Sequence, residues 1–110
     1  MKMIYIVLLQ FLLSVACFGQ NKEANVDCLL LADENSIICK YTRTRINNDR
    51  DIIFHWIDPN GLLSRKRELI FPANHGSIYD YRYISGRLSG TWTFKVVDGK
   101  NEYKTNFIIK

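Results

Sequence analysis

The chain has 110 residues, which is enough for one small domain and too few for a large enclosed cleft with a separate lid. Its 15 lysines and arginines exceed its 11 acidic residues by only four, so the surface is mildly basic. Nucleic acid binding needs a concentrated stripe of basic and stacking aromatic residues, which this balance does not indicate. The composition therefore argues against a multidomain enzyme and against a nucleic-acid-binding protein.

The N-terminal segment has the order of an export signal. Lys2 precedes an apolar run from Met3 to Val15, and small residues then lead into the polar Gln20. A charged start, an apolar centre and a small-residue cleavage region are typical of a signal peptide. The run is shorter than the roughly 20 residues of a membrane-spanning helix. We predict a signal peptide over residues 1–19, a single domain over residues 20–110, and an exported protein that is periplasmic or extracellular.

Cys17 gives this signal a second interpretation. The segment from Leu13 to Cys17 resembles the lipobox of bacterial lipoproteins, in which the cysteine is acylated and becomes the new N-terminus. Ser14 departs from the branched apolar residue that this motif usually carries. We prefer cleavage before Gln20, and lipidation of Cys17, which would tether the domain to a membrane, is the alternative.

The other two cysteines form a candidate disulfide. A hairpin centred between Asp33 and Glu34 places Cys28 directly opposite Cys39, and cross-strand partners are near enough for a bridge. An even pair in an oxidising compartment favours this bond over two buried free thiols. Two cysteines with no histidine at ligand spacing do not complete a tetrahedral set, so we expect no metal site.

The rest of the chain consists of short strand-like segments separated by turn residues, with no helical period. Asp58 begins a predicted type I turn with proline second and glycine fourth. Regular short strands with such turns favour an antiparallel sandwich. The seven predicted strands are Asn25–Leu31, Ser36–Arg45, Asp51–Ile57, Leu62–Phe71, Ser77–Ser85, Thr91–Val97 and Glu102–Ile109.

The last hairpin has a clear register. Pairing Val97 with Glu102 sets Trp92 opposite Phe107, which gives the pair one apolar and one polar face. Slipping the register by one residue would expose both aromatic rings.

Two tryptophan segments carry a resemblance to a known class of domain. Trp56 is followed by the D-P-x-G turn, and the segment Gly90–Gly99 has the pattern G-x-W-x-F-x-V. Together they resemble immunoglobulin-like β-sandwich modules of exported bacterial envelope proteins, over the stretch from Ile52 to Ile109. The resemblance implies an all-β, seven-stranded antiparallel immunoglobulin-like sandwich. True immunoglobulin domains bridge their two sheets with the disulfide, whereas the predicted bond staples one hairpin.

The sequence offers little chemistry for catalysis. His55 is flanked by aromatic residues within an apolar strand, and Asp58 is better explained as a turn residue than as a general acid. The motifs G-x-S-x-G and H-E-x-x-H and a phosphate-binding loop are absent from the sequence. We therefore predict that the protein is not an enzyme and takes no cofactor.

Several side chains remain as candidate binding residues. Tyr79, Tyr81 and Tyr83 share one strand face, which could form an outward platform for a sugar or a partner side chain, or an inward part of the core. The inward orientation is the preferred prediction. The further candidates are His75 on a loop and two arginine pairs, which could either protect edge strands or bind an anionic partner. These pairs are Arg43 with Arg45 and Arg65 with Arg67.

These features predict a non-catalytic exported module that binds another envelope or surface protein or helps it to assemble. The alternative is a carbohydrate-binding or enzyme-inhibitor module that uses the tyrosines and the neighbouring arginines.

Overall fold

The computed structural model describes residues 24–110, and the predicted signal peptide and Cys17 lie outside the described residues. In this part of the chain, seven strands and a short 3-10 helix (Ala32–Glu34) form the regular structure. The strands are β1 (Ala24–Leu31), β2 (Ser36–Arg43), β3 (Arg50–Ile57), β4 (Leu63–Phe71), β5 (Ser77–Tyr83), β6 (Gly90–Asp98) and β7 (Asn101–Ile109). Each predicted strand is present, with its ends shifted by at most two residues.

The strands form two antiparallel sheets. Sheet A has the order β1-β2-β5 and sheet B has the order β4-β3-β6-β7. In the constant-type immunoglobulin domain the fourth strand belongs to the sheet of the first two strands, whereas here it pairs with β3. The predicted fold class is confirmed as an all-β, seven-stranded antiparallel sandwich.

The first hairpin carries the disulfide at its predicted place. The 3-10 helix turns the chain, and Asn35 follows it in a left-handed conformation with φ of 53°. Asparagine tolerates this conformation better than most residues. The resulting register pairs Cys28 with Cys39, whose Cα atoms are 4.0 Å apart and whose sulfurs are bonded. The bond therefore joins two strands of sheet A and does not bridge the sheets.

The last hairpin also has its predicted register. Trp92 lies opposite Phe107 and Val97 lies opposite Glu102. The two aromatic rings stack, with centroids 6.0 Å apart and an angle of 13° between their planes. Gly99 takes the positive φ of 62° that this tight turn requires.

The core fills the space between the inner faces of the two sheets. Trp56 is fully buried at its centre, where its ring makes edge contacts with Phe94 at 5.1 Å and Phe107 at 5.9 Å. Such aromatic contacts add to the free energy gained by removing the rings from water. The inner residues of β3, β6 and β7 alternate with outward ones, which is the period that a half-buried antiparallel sheet requires.

The turn after β3 packs against the start of β6. The Asp58 carboxylate accepts hydrogen bonds from the backbone N–H groups of Asn60 at 2.9 Å and Leu62 at 3.0 Å, as a turn residue should. A Cβ atom added to Gly90 would stand 2.9 Å from Pro59 Cβ. Only glycine fits this close approach, and this part of the turn is thereby fixed relative to sheet B.

Candidate binding face and arginine pocket

The tyrosines of β5 lie on the outer face of sheet A. Tyr79, Tyr81 and Tyr83 are 64%, 55% and 58% exposed, and the last two rings meet edge to face at 6.4 Å. The preferred inward orientation is therefore wrong. The reason is the register with β2: the disulfide-bonded Cys39 faces the core and pairs with Asp80, so Asp80 also faces inward and alternation turns the tyrosines outward.

Aliphatic side chains extend this aromatic surface across sheet A. Tyr81 pairs with Ile38 of β2, which in turn pairs with Leu29 of β1, and Leu29 is 59% exposed. Neighbouring strands lie about 4.8 Å apart, so the side chains of one row are adjacent. We call the surface formed by Tyr79, Tyr81, Tyr83, Ile38 and Leu29 the tyrosine face.

A pocket borders the tyrosine face where β4 and β5 meet. These are edge strands of different sheets, and the pocket between them has a volume of about 260 Å³. We call it the arginine pocket, because four arginines line it together with Asp80, Tyr81 and Tyr83. The arginines are Arg65, Arg67, Arg82 and Arg87. The structure thus brings the predicted pair on β4 next to two of the predicted tyrosines.

Asp80 is buried and joins the two sheets at the base of this pocket. Its carboxylate accepts a hydrogen bond from the indole Nε1 of Trp56 at 2.9 Å and one from the Arg67 guanidinium at 2.8 Å. The Nε of Arg65 lies 3.7 Å from the same carboxylate, too far for a hydrogen bond. A buried carboxylate requires such donors, and Arg67 supplies the closest positive charge.

Arg82 contributes a charge that the structure compensates only in part. Its guanidinium lies 5.4 Å from the Trp56 ring centroid and donates to Ser64 Oγ at 3.1 Å. Among the described residues, nothing accepts a hydrogen bond from its buried Nε. Burial lowers the pKa of Arg82, and the positive charges of Arg87 and Arg65 lower it further. Arginine nevertheless remains charged at any physiological pH.

Two of these arginines also cover the edge of β5. Arg65 donates to the backbone carbonyl of Tyr81 at 3.4 Å, and Arg87 donates to that of Tyr83 at 3.3 Å. Charged side chains on an edge discourage pairing with a strand from another chain. The two covered carbonyls make this part of the β5 edge less open to strand addition.

The sequence interpretation missed Asp80, Arg82 and Arg87 as parts of this site. A signal was present, because Asp80 and Arg82 alternate with the tyrosines. If the tyrosines point outward, Asp80 and Arg82 must point inward. Their polar groups then need hydrogen-bond partners within the sandwich.

The other predicted arginine pair is separated by the structure. Arg43 is largely buried, and its guanidinium forms an ion pair with the buried carboxylate of Asp98. The same carboxylate accepts hydrogen bonds from the Tyr41 hydroxyl at 2.6 Å and from Arg50 Nε at 3.0 Å. We call Asp98, Tyr41, Arg43 and Arg50 the Asp98 cluster. Tyr41 and Arg43 belong to sheet A and Asp98 belongs to sheet B, so the cluster links the two sheets. Arg43 is thus a largely buried link within the fold.

The Asp98 cluster shifts the pKa values of its members. Burial by itself would raise the pKa of Asp98, but the hydrogen bonds from Tyr41 and Arg50 and the charges of Arg50 and Arg43 outweigh burial and lower it. Burial and the hydrogen bond to Asp98 raise the pKa of the Tyr41 phenol. The carboxylate is therefore held ionised and the phenol is held neutral.

Arg45 and His75 lie at the opposite end of β5 from Tyr83. Arg45 donates to the backbone carbonyl of Asn74 at 2.6 Å, and His75 Nδ1 lies 3.1 Å from the carbonyl oxygen of Ala73. Both contacts hold the loop between β4 and β5. Neither side chain joins the arginine pocket.

His55 is half-buried on β3, away from the tyrosine face. Burial lowers its pKa, and the nearby charges of Lys95 and Lys66 lower it further. The imidazole is therefore neutral at pH 7.

Residues 24–110 hold no cluster of three or more histidine, cysteine or acidic side chains placed to bind a metal ion. Nor do they form any helix long and apolar enough to cross a membrane. The disulfide fits a location outside the cytosol.

No protein-family model matches the sequence, and no curated protein matches it. Function is therefore inferred from the surface chemistry of the described residues.

Proposed function

We propose that this chain is an exported, non-catalytic β-sandwich that binds another protein of the cell envelope through the tyrosine face. The observation that carries the proposal is the line of three tyrosines, each more than half exposed, that continues into the exposed Leu29. Tyrosine and arginine are enriched at the centres of protein interfaces. Contiguous exposed apolar surface marks interaction sites more often than isolated exposed residues do.

Export is supported by two independent features. Residues 1–19 have the order of a signal peptide, and Cys28 and Cys39 are bonded. A disulfide persists in the periplasm or the extracellular space and is rare in the cytosol. Lipidation of Cys17 would place the same module at a membrane surface.

The test compares a variant of the tyrosine face with a control variant that loses exposed apolar side chains elsewhere. The triple variant Y79S/Y81S/Y83S alters the tyrosine face, and I70S/I108S removes comparably exposed side chains from sheet B. Each chain is expressed with residues 1–110, purified as the cell processes it, and used to capture proteins from envelope extracts. We expect one abundant protein to bind the wild type and the sheet B variant and to be lost with the tyrosine variant. Equal capture by both variants would refute the proposal, provided that urea unfolding shows both to be folded.

A second candidate function is binding of a glycan. It is favoured by the outward orientation of the tyrosines, since exposed rings can stack against sugar rings. The aliphatic Ile38 and Leu29 in the same row favour a protein partner instead, because such residues bury well against apolar side chains. Binding of oligogalacturonate that disappears in Y79S/Y81S/Y83S, without a captured protein, would select the glycan.

A further inference from the structure

We propose that the arginine pocket is an anchor site for a carboxylate side chain of the partner protein, an aspartate or glutamate in an acidic segment. The inference rests on the proposed function, because it takes the adjoining tyrosine face as the surface that the partner covers. Binding of the carboxylate in the pocket would fix the position of the partner on the tyrosine face.

The charges that line the arginine pocket are unbalanced. Four guanidiniums face one carboxylate among the described residues that line the pocket. That carboxylate, Asp80, is engaged by Arg67 at 2.8 Å and by the indole of Trp56. Arg65 is too distant for a hydrogen bond to it, and Arg82 and Arg87 form no ion pair in the part of the chain described. An excess of positive charge therefore surrounds a concave site.

This arrangement of arginines costs free energy when no ligand is bound. Arg82 is partly buried, and the positive charges of Arg87 and Arg65 repel it, while the carboxylate of Asp80 attracts it. Its Nε donor is buried without an acceptor, which costs free energy when no compensating group is present. A carboxylate in the pocket would offset the repulsion between the three guanidiniums, and paired arginines are well suited to hold one.

The arginine pocket lies beside the aromatic surface. Tyr81 and Tyr83 line the pocket and also belong to the tyrosine face. A peptide with an acidic side chain in the pocket can lay its neighbouring side chains over these rings. The carbonyls of Tyr81 and Tyr83 are covered by Arg65 and Arg87, so the peptide is held by side chains and not as an added strand.

A protein carboxylate is favoured over an acidic sugar by the rest of the surface. The row that starts at Tyr81 continues through Ile38 to Leu29. Beyond Arg87, the next residue Leu88 is 51% exposed. Aliphatic side chains on both sides of the pocket match the mixed apolar and acidic surface of a protein better than the hydroxyl-rich surface of a polysaccharide.

The test uses nuclear magnetic resonance of the ¹⁵N-labelled chain, purified as the cell processes it. The probe is a blocked peptide of three glutamates flanked by glycines, and the matched probe has glutamines instead. The arginine Nε–H signals of Arg82 and Arg87 and the indole signal of Trp56 report on the pocket. We expect these signals to shift with the glutamate peptide in a saturable way, to shift less at high salt, and not to shift with the glutamine peptide.

Variants separate the pocket from general charge attraction. R82Q and R87Q should each weaken binding of the glutamate peptide by about tenfold, equivalent to about 1.4 kcal/mol. R87Q guards against a folding defect in R82Q, because Arg87 lies outside the strands. K104Q removes the same charge from the outer face of sheet B and should leave binding unchanged.

Three results would overturn the inference: equal shifts with both peptides, wild-type affinity in R82Q and R87Q, or oligogalacturonate binding the pocket more tightly than the glutamate peptide. The titration contains no partner protein, so its failure is distinct from failure of the proposed function. If the tyrosine variant loses its captured partner while the pocket binds no carboxylate, this inference is wrong and the proposed function stands.

Discussion

Replacing Asp98 by asparagine removes the negative charge at the centre of the Asp98 cluster. The carboxylate is 1% exposed and accepts hydrogen bonds from Tyr41 and Arg50 while forming an ion pair with Arg43. The amide of the D98N variant keeps one acceptor oxygen and adds an NH₂ group that faces donors. Two guanidiniums then lie at the junction of the sheets without their counter-charge.

The loss of stability expected for D98N follows from the burial of the Asp98 carboxylate and its ion pair. Removing one partner of a buried ion pair costs about 3–5 kcal/mol. The side chains of Arg43 and Arg50 are 12% and 32% exposed, so both can recover some hydration. We therefore expect the lower end, about 3 kcal/mol in the free energy of unfolding. With a urea m-value of about 1.5 kcal/mol/M, the midpoint falls by about 2 M. The control D51N, an exposed carboxylate on β3, should change stability by no more than about 0.5 kcal/mol.

The dependence of the unfolding free energy on pH gives an independent check. The folded-state pKa of Asp98 lies below its ordinary value of 3.8, so at acid pH the unfolded chain binds the proton first. The stabilisation is complete above about pH 5 and is lost as the pH falls through the folded-state pKa. The difference in unfolding free energy between the wild type and D98N should therefore shrink on acidification.

The assay is urea unfolding followed by tryptophan fluorescence, since Trp56 and Trp92 both lie in the core. Measurements at pH 7, 5, 4 and 3 give the difference directly. The reasoning would be refuted if D98N unfolded within about 0.5 kcal/mol of the wild type at pH 7. It would also be refuted if the difference between the two proteins were the same at pH 7 and pH 3.

Three further predictions concern separate features. The variant C28A/C39A should lose about 3 kcal/mol of unfolding free energy, because the bond closes a loop across a separation of 11 residues; two free thiols in the mass spectrum of the untreated protein would contradict this. The pKa of Tyr41 is raised above its ordinary value of 10.0, so its contribution to stability is present below about pH 10 and is lost as the pH rises. The decline of the unfolding free energy at alkaline pH should therefore be smaller in Y41F. Thermal unfolding should show G90A to be destabilised by at least about 1 kcal/mol more than G86A, because both positions have positive φ but only an added Cβ at Gly90 meets a proline side chain at 2.9 Å. Equal effects of the two glycine substitutions would contradict the packing argument.

Local patterns were sufficient to predict the strands and two of their registers. Alternation of apolar and polar residues placed Trp92 opposite Phe107, and the turn between β1 and β2 placed Cys28 opposite Cys39. Both registers depend on residues close together in the sequence. The same patterns identified Asp58 as a turn residue, because its hydrogen bonds are to groups within four positions.

The candidate site depended on pairing between distant segments. The tyrosines of β5 are more apolar than the alternating Asp80 and Arg82, so the strand by itself favours burying the rings. Pairing with β2 reverses this preference, because Asp80 must share the inner face of Cys39. The indole of Trp56 and the Arg67 guanidinium then satisfy the buried carboxylate.

The sequence by itself therefore determined the strands, the turns, the disulfide and the all-β fold, since these follow from alternation and turn chemistry over short distances. Only the tertiary structure decided which face of β5 meets solvent and which arginines share a pocket. The physical reason is that a buried charge is acceptable only where partners from other strands surround it. Those partners, for Asp80 and for Asp98 alike, come from segments of the chain that meet only in the folded sandwich.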